Sequence, residues 1–163
     1  MEFTAAVITC SDKASKGQRI DTSGEYIVTF LESKMFNVKD KVIISDELET
    51  IKETLLYYSD QQKVDLIITT GGTGFSPRDN TPEATKSVIL REVPGISEML
   101  RSESFKVTPR AYLSRGLSGI RNRTLIINLP GSLKAVKENL SFLTDVLDHG
   151  LKILKSVDTD CGE

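Results

Sequence analysis

Three short apolar runs leave this chain little freedom of fold. Ala5-Ala6-Val7-Ile8-Thr9, Leu66-Ile67-Ile68-Thr69-Thr70 and Thr124-Leu125-Ile126-Ile127-Asn128-Leu129 are continuous rather than alternating, as expected of strands covered on both faces. A further strand is read over 38–44. Helical patterns lie between them. Thr22 to Glu25 has capping-box spacing and opens a helix to about Lys34, with Tyr26, Ile27, Phe30 and Leu31 on one face. Ser45-Asp46-Glu47 can start a second helix, with a stripe of Leu48, Ile51, Leu55, Leu56 and Tyr58. A helix from Thr81 is expected to pause at Val93-Pro94-Gly95, and another to cover about Ile96 to Glu103. Val136, Leu140, Leu143, Val146, Leu147, Leu151 and Leu154 recur at helical spacing. Alternating strands and helices predict an α/β fold, with a mainly parallel sheet and helices on both faces. A hairpin onto the last strand is expected around Arg121-Asn122.

A length of 163 residues suits one domain, 1–163, with 155–163 expected as a flexible tail. The net charge of −2 gives no basic field for nucleic acid. No apolar run reaches the roughly 20 residues of a membrane span, and Met1-Glu2-Phe3-Thr4 lacks signal-peptide character. A cytoplasmic protein is expected. Cys10 and Cys161 fit no metal-ligand spacing, and Cys10 reads as a small hydrophobe at a strand end. His149, the only histidine, reads as structural.

The stretch after the strand 66–70 carries the chemistry. Gly71, Gly72 and Gly74 around Thr73 permit positive φ and close approach of a ligand. Phe75-Ser76-Pro77-Arg78-Asp79-Asn80 leads to Thr81-Pro82-Glu83, read as a helix start with Thr81 at the N-cap. Strand, glycine loop, acid and helix N-terminus together suit a phosphate. No Lys-Ser or Lys-Thr follows the glycines, so this is not a Walker A loop, and G-x-G-x-x-G is not matched either.

In parallel sheets ligands bind beyond the carboxyl ends of the strands. That rule gathers Ser11-Asp12, Asp46, the 70–79 loop and the Leu129-Pro130-Gly131-Ser132 turn on one edge. Two carboxylates at adjacent strand ends, Asp46 and Asp79, can share a hydrated Mg²⁺ with substrate phosphate; the alternative for each is helix capping. Arg78 can answer a phosphate or pair with Asp79. Ser114-Arg115 and Ser132 supply further donors, or simply form turns.

The run from Thr70 to Thr85, with Pro94-Gly95-Ile96-Ser97-Glu98, Leu113-Ser114-Arg115 and Asn128-Leu129-Pro130-Gly131-Ser132, resembles the MogA/MoaB family. That family includes molybdopterin adenylyltransferases and the gephyrin G domain, and the resemblance covers nearly the whole chain. It implies a three-layer αβα fold, a homotrimer, and transfer of AMP from ATP to the terminal phosphate of molybdopterin with Mg²⁺, releasing pyrophosphate. A downstream molybdenum-insertion protein is an implied partner. The family's two functional aspartates fall on Asp46 and Asp79, which would be catalytic and metal-binding. By the same resemblance Ser11, Gly71, Gly72, Thr73, Gly74, Ser76, Thr81, Ser114, Arg115, Pro130, Gly131 and Ser132 border nucleotide and pterin. The alternative it leaves is a molybdopterin- or nucleotide-binding module without turnover.

Overall fold

The computed structural model describes residues 2–155. Cys161 and the expected tail beyond Lys155 lie outside the described residues. In chain order the elements are β1 (Thr4–Cys10), α1 (Asp12–Ser15), α2 (Thr22–Ser33), β2 (Asn37–Ile44) and α3 (Leu48–Leu56), which runs on into a π-turn (Tyr57–Gln61). They continue with β3 (Leu66–Thr70), α4 (Thr81–Val88), β4 (Arg91–Glu92), α5 (Pro94–Phe105), a 3₁₀ turn (Pro109–Leu113), β5 (Ser118–Arg121), β6 (Thr124–Leu129) and α6 (Leu133–Leu154).

One six-stranded sheet has the order β2-β1-β3-β6-β5-β4. The first four strands run parallel, while β5 and β4 are antiparallel additions at one edge. The expected hairpin forms between β5 and β6, and Asn122 takes the left-handed φ of 52° its turn requires.

Successive residues of the apolar runs point to opposite faces. Ala5, Val7, Leu66, Ile68, Leu125 and Ile127 pack with α2, α5 and α6. Ala6, Ile8, Ile67 and Ile126 pack with α3, the π-turn and α4. This is the three-layer αβα arrangement, and it explains why these strands lack alternation: both faces are core. Because β1 connects outward to β2 and the chain then returns to place β3 on the other side of β1, the β1–β3 boundary is a topological switch point.

Several local readings shift. The cap of α2 is Asp21, not Thr22: its carboxylate accepts from Gly24 N at 2.8 Å and from the Thr9 hydroxyl at 2.7 Å. Glu25 pairs with Lys41 on β2 instead of closing a capping box. The cap position of α4 is Asn80, and Thr81 is its first helical residue. That helix stops at Val88, well before Pro94, because Arg91–Glu92 pairs with Ile120 and Gly119. Pro94 does not interrupt a helix but begins α5, where its missing N–H costs nothing. Leu48 and Val146, expected in apolar stripes, are exposed.

Asn128 ties the layers together where β6 ends. Its amide donates to the hydroxyls of Thr69 (3.0 Å) and Thr85 (2.9 Å), and its carbonyl accepts from Leu117 N (3.0 Å). Asn128→Ala would strand these buried groups, and we expect a loss of about 2–3 kcal/mol, read from the urea unfolding midpoint.

Candidate functional site

Four parallel strands deliver four loops to one edge, in the lateral order Asp46 (after β2), Ser11-Asp12 (after β1), the glycine loop (after β3) and Pro130-Gly131-Ser132 (after β6). They surround a cavity of about 1070 Å³, whose far wall is built by α5, the 3₁₀ turn and the start of α6. Asp46, Asp79, Ser11, Gly71, Gly72, Thr73, Gly74, Ser76, Ser114, Pro130, Gly131 and Ser132 all line it. Thr81 and Arg115 do not.

The glycine loop is shaped from within. Gly71 has φ +94°, and a Cβ there would lie 2.4 Å from the Cys10 carbonyl oxygen. Gly71 N donates to Leu129 O (3.2 Å) and the Thr70 hydroxyl to Pro130 O (2.8 Å), which stitches the loop to the end of β6. Thr81 spends its N–H on Gly72 O (3.2 Å) and its hydroxyl on Gly71 O (2.9 Å). Pro82 has no N–H, and the Glu83 carboxylate pairs with Arg115. The start of α4 therefore holds the glycine loop, and Thr81, Pro82 and Glu83 do not line the cavity. The helix N-termini that open on the cavity include those of α2, through Asp21, Thr22 and Ser23, and of α6, through Gly131, Ser132 and Leu133.

Arg115 is likewise a loop staple. Its Nε donates to Gly74 O (2.8 Å), one terminal nitrogen donates to Asp79 O (2.8 Å), and the other pairs with Glu83. Its backbone N–H reaches Thr73 O (2.9 Å). The neighbouring Ser114 does face the cavity, in a turn held by Arg101, whose guanidinium donates to Gly116 O (2.9 Å).

The acids form a network that crosses three loops. Asp12 N donates to Asp46 Oδ2 (2.8 Å), and Asp46 N donates back to Asp12 Oδ1 (3.0 Å). Arg78 grips Asp12 with Nε (3.0 Å) and Nη2 (2.9 Å), and its Nη1 reaches Glu47 (2.6 Å). Arg78 thus pairs with Asp12 and Glu47, not with Asp79. Nor does Asp46 cap α3; Glu47 occupies that position without a side-chain capping bond. Asp79 turns back on its own loop and accepts from Ser76 N (2.8 Å).

The electrostatics of the two paired acids differ. Arg78 holds the Asp12 carboxyl below the usual carboxylate range. Burial pushes Asp46 above it; the Asp12 N–H opposes that rise, while the charges of Asp12 and Asp79 add to it. Burial likewise pushes the Cys10 thiol up to about 12, so it stays a protonated, inert wall residue.

Asp46 Oδ1 is buried and has no hydrogen-bond partner. A Cβ on Gly72 would come within 3.2 Å of it, and one on Gly74 within 2.9 Å of Asp79 Oδ2. The glycines thus make room for carboxylates as well as for the turn. Among the described residues no three His, Cys, Asp or Glu side chains are grouped to hold a metal. An orphaned anionic oxygen that shares a cavity wall with the Asp79 carboxylate suits Mg²⁺, which takes one or two carboxylates and completes its shell with phosphate and water. The residues present fit that ion.

Sequence reasoning placed Asp12 on this edge but gave it no role, and it did not single out Arg101 or Asp21, which also line the cavity. Asp12 carried the same signal as Asp46, a carboxylate just past a strand. Arg101, on a helix well away in sequence, carried none.

The chain has known relatives. The family described as "Probable molybdopterin binding domain" matches residues 6–149. The chain belongs to that family. It is 45% identical over 150 residues to a protein of Helicobacter pylori (strain J99) named molybdopterin adenylyltransferase, covering 91% of this chain and 85% of that one. It is 38% identical over 165 residues to the gephyrin of Dictyostelium discoideum, covering 95% of this chain but only 23% of the longer protein. The crystal structure of the molybdopterin biosynthesis enzyme MoaB from Thermus thermophilus superposes with a TM-score of 0.89 at 44% identity, covering 94% and 97% of the two chains. Among the described residues of this family member, no helix is long and apolar enough to cross a membrane.

Gly71→Ala sets a side chain against the Cys10 carbonyl at a strained φ. We expect a loss of at least about 2 kcal/mol in unfolding free energy by urea titration.

Proposed function

We propose that this protein is a molybdopterin adenylyltransferase of molybdenum cofactor biosynthesis, which transfers AMP from ATP to the terminal phosphate of molybdopterin. The observation that carries the reading is the unpartnered, buried Asp46 Oδ1, at an edge shared by Asp79, the glycine loop and the start of α6. The relatives named above support it, as does a cavity large enough for both substrates.

In this reaction a molybdopterin phosphate oxygen attacks the α-phosphorus of ATP. The bond from that phosphorus to the bridging oxygen breaks, and pyrophosphate leaves. The nucleophile is already an anion, so no strong general base is needed, and the protein's task is to position the groups and stabilise charge. Asp46 and Asp79 would hold Mg²⁺. Bound there, the ion would supply Lewis-acid neutralisation of phosphate charge. Gly71 to Gly74, Ser11 and Ser76 border the phosphates at close range, since no Cβ intervenes at the glycines. Ser132, at the start of α6, brings the positive end of a 22-residue helix toward the same anions. Ser114, Pro130 and Gly131 bound the pterin side. Thr81 and Arg115 act from behind, by fixing the carbonyls of Gly71, Gly72, Gly74 and Asp79. A cytoplasmic homotrimer, handing its product to a molybdenum-insertion protein, completes this reading.

Incubation with molybdopterin, ATP and Mg²⁺ should release pyrophosphate and give adenylylated molybdopterin. Asp79→Asn should lower kcat on the order of 10²-fold or more, with molybdopterin affinity retained in equilibrium binding. Wild-type-like turnover by that variant would sink the assignment, and binding without any product would favour a binding module. Light scattering should return three chains of 18.0 kDa per particle.

A further inference from the structure

We infer that Asp12 and Arg78 form a positioning latch for the cation site: they fix the rotamer of Asp46 so that Oδ1, and only Oδ1, faces the incoming ion. The inference rests on the metal assignment made above and concerns two residues to which that reading gives no role.

The geometry is specific. An aspartate on a loop has two oxygens and a soft terminal torsion, so a lone Asp46 could present either oxygen or turn away. Here Oδ2 is tied to Asp12 N at 2.8 Å, which leaves Oδ1 as the free oxygen. The tie is reciprocal, because the Asp46 N–H is held by Asp12 Oδ1 at 3.0 Å. Two carboxylates locked against each other's backbone repel, and Asp12 does push on Asp46. Arg78 offsets this from the third loop. Its fork takes both oxygens of Asp12, and its remaining arm takes Glu47, the residue next to Asp46. One guanidinium therefore fastens the ends of β1 and β2 to the loop that carries Asp79. Asn80 adds to the same clamp by donating to Asp46 O at 2.8 Å.

Arg78 acts on a cation in two opposed ways, and this makes the latch testable. As a nearby positive charge it repels Mg²⁺, so its removal should tighten metal binding. As the holder of Asp12 it preserves the ligand geometry, so its removal should weaken binding. Groups that orient metal ligands typically contribute about 10–100-fold in metal affinity. The latch thus predicts the opposite sign from the charge alone.

The test measures Mn²⁺ affinity of the full-length protein without substrates, from the electron paramagnetic resonance signal of free Mn²⁺. The wild-type protein is compared with Asp46→Ala, Arg78→Gln, Arg78→Lys, Asp12→Asn and the Arg78→Gln/Asp12→Asn pair. Melting temperatures are taken alongside, so that a variant is compared only if it is folded. The latch predicts that Mn²⁺ binding is lost in Asp46→Ala and weakened on the order of tenfold in Arg78→Gln. Arg78→Lys should restore little, because an ammonium cannot take both oxygens of Asp12. The double variant should be little weaker than Asp12→Asn alone, since the two residues act through one contact. If Mn²⁺ binding depends on Asp46 but is unchanged or tighter in Arg78→Gln, the latch is overturned and the metal assignment stands. If the wild-type protein shows no Asp46-dependent Mn²⁺ binding, the metal assignment falls and the latch falls with it.

Discussion

The carbonyl of Cys10 and the α-carbon of Gly71 meet where β1 and β3 end, and the site is built outward from that contact. A Cβ would come within 2.4 Å of the carbonyl oxygen, so the third strand can leave the sheet at this height only as glycine. With the turn fixed, Gly71 N reaches Leu129 O and Thr81 can hold the carbonyls of Gly71 and Gly72. The loop then closes over the ends of β1 and β2 and sets Arg78 against Asp12. Backbone packing at the switch point thus sets where the loop brings Arg78 to the acid network.

The loop's glycines serve the protein before they serve a ligand. Gly72 leaves space beside Asp46 Oδ1 and the Thr81 hydroxyl, and Gly74 leaves space beside Asp79 Oδ2. Both arginines near the loop are occupied: Arg115 by its carbonyls and Glu83, Arg78 by Asp12 and Glu47. A loop of this kind carries little positive charge of its own to offer a phosphate. The amino end of α6 opens on the same cavity, and in the proposed reaction a bound cation would supply further positive charge.

Much of this was legible in the sequence, for reasons that particular residues make plain. Leu66–Thr70 and Thr124–Leu129 were readable to the residue, because a strand buried on both faces leaves an uninterrupted apolar run with sharp ends. The common edge of Asp46, Gly71, Asp79 and Ser132 followed from strand polarity alone. Helix starts were misplaced by a residue where two acceptors stand side by side. Nothing local tells that Thr9 supports Asp21 as the cap of α2, or that the Thr81 hydroxyl belongs to Gly71. The acid network was beyond reach for the same reason: Asp12 and Asp46 are 34 residues apart, and Asp12 and Arg78 are 66 apart. Pairings at such distances are set by how loops meet, and a single sequence does not encode that in any short pattern.

The position of β2 at the end of the sheet has a consequence of a different kind. Among the described residues it is the one long strand of the parallel set to pair on a single side, against β1, and its other side offers backbone donors and acceptors to a passing extended chain. Its sequence blunts that offer: Lys39, Asp40 and Lys41 put three consecutive charges along the strand, and two of them are anchored, Lys41 to Asp21 and Glu25 and Asp40 to the Tyr58 hydroxyl. Charge on an open edge discourages lateral growth of the sheet into aggregates. The strand that carries Asp46 to the site thus also helps keep the chain from polymerising through its own edge.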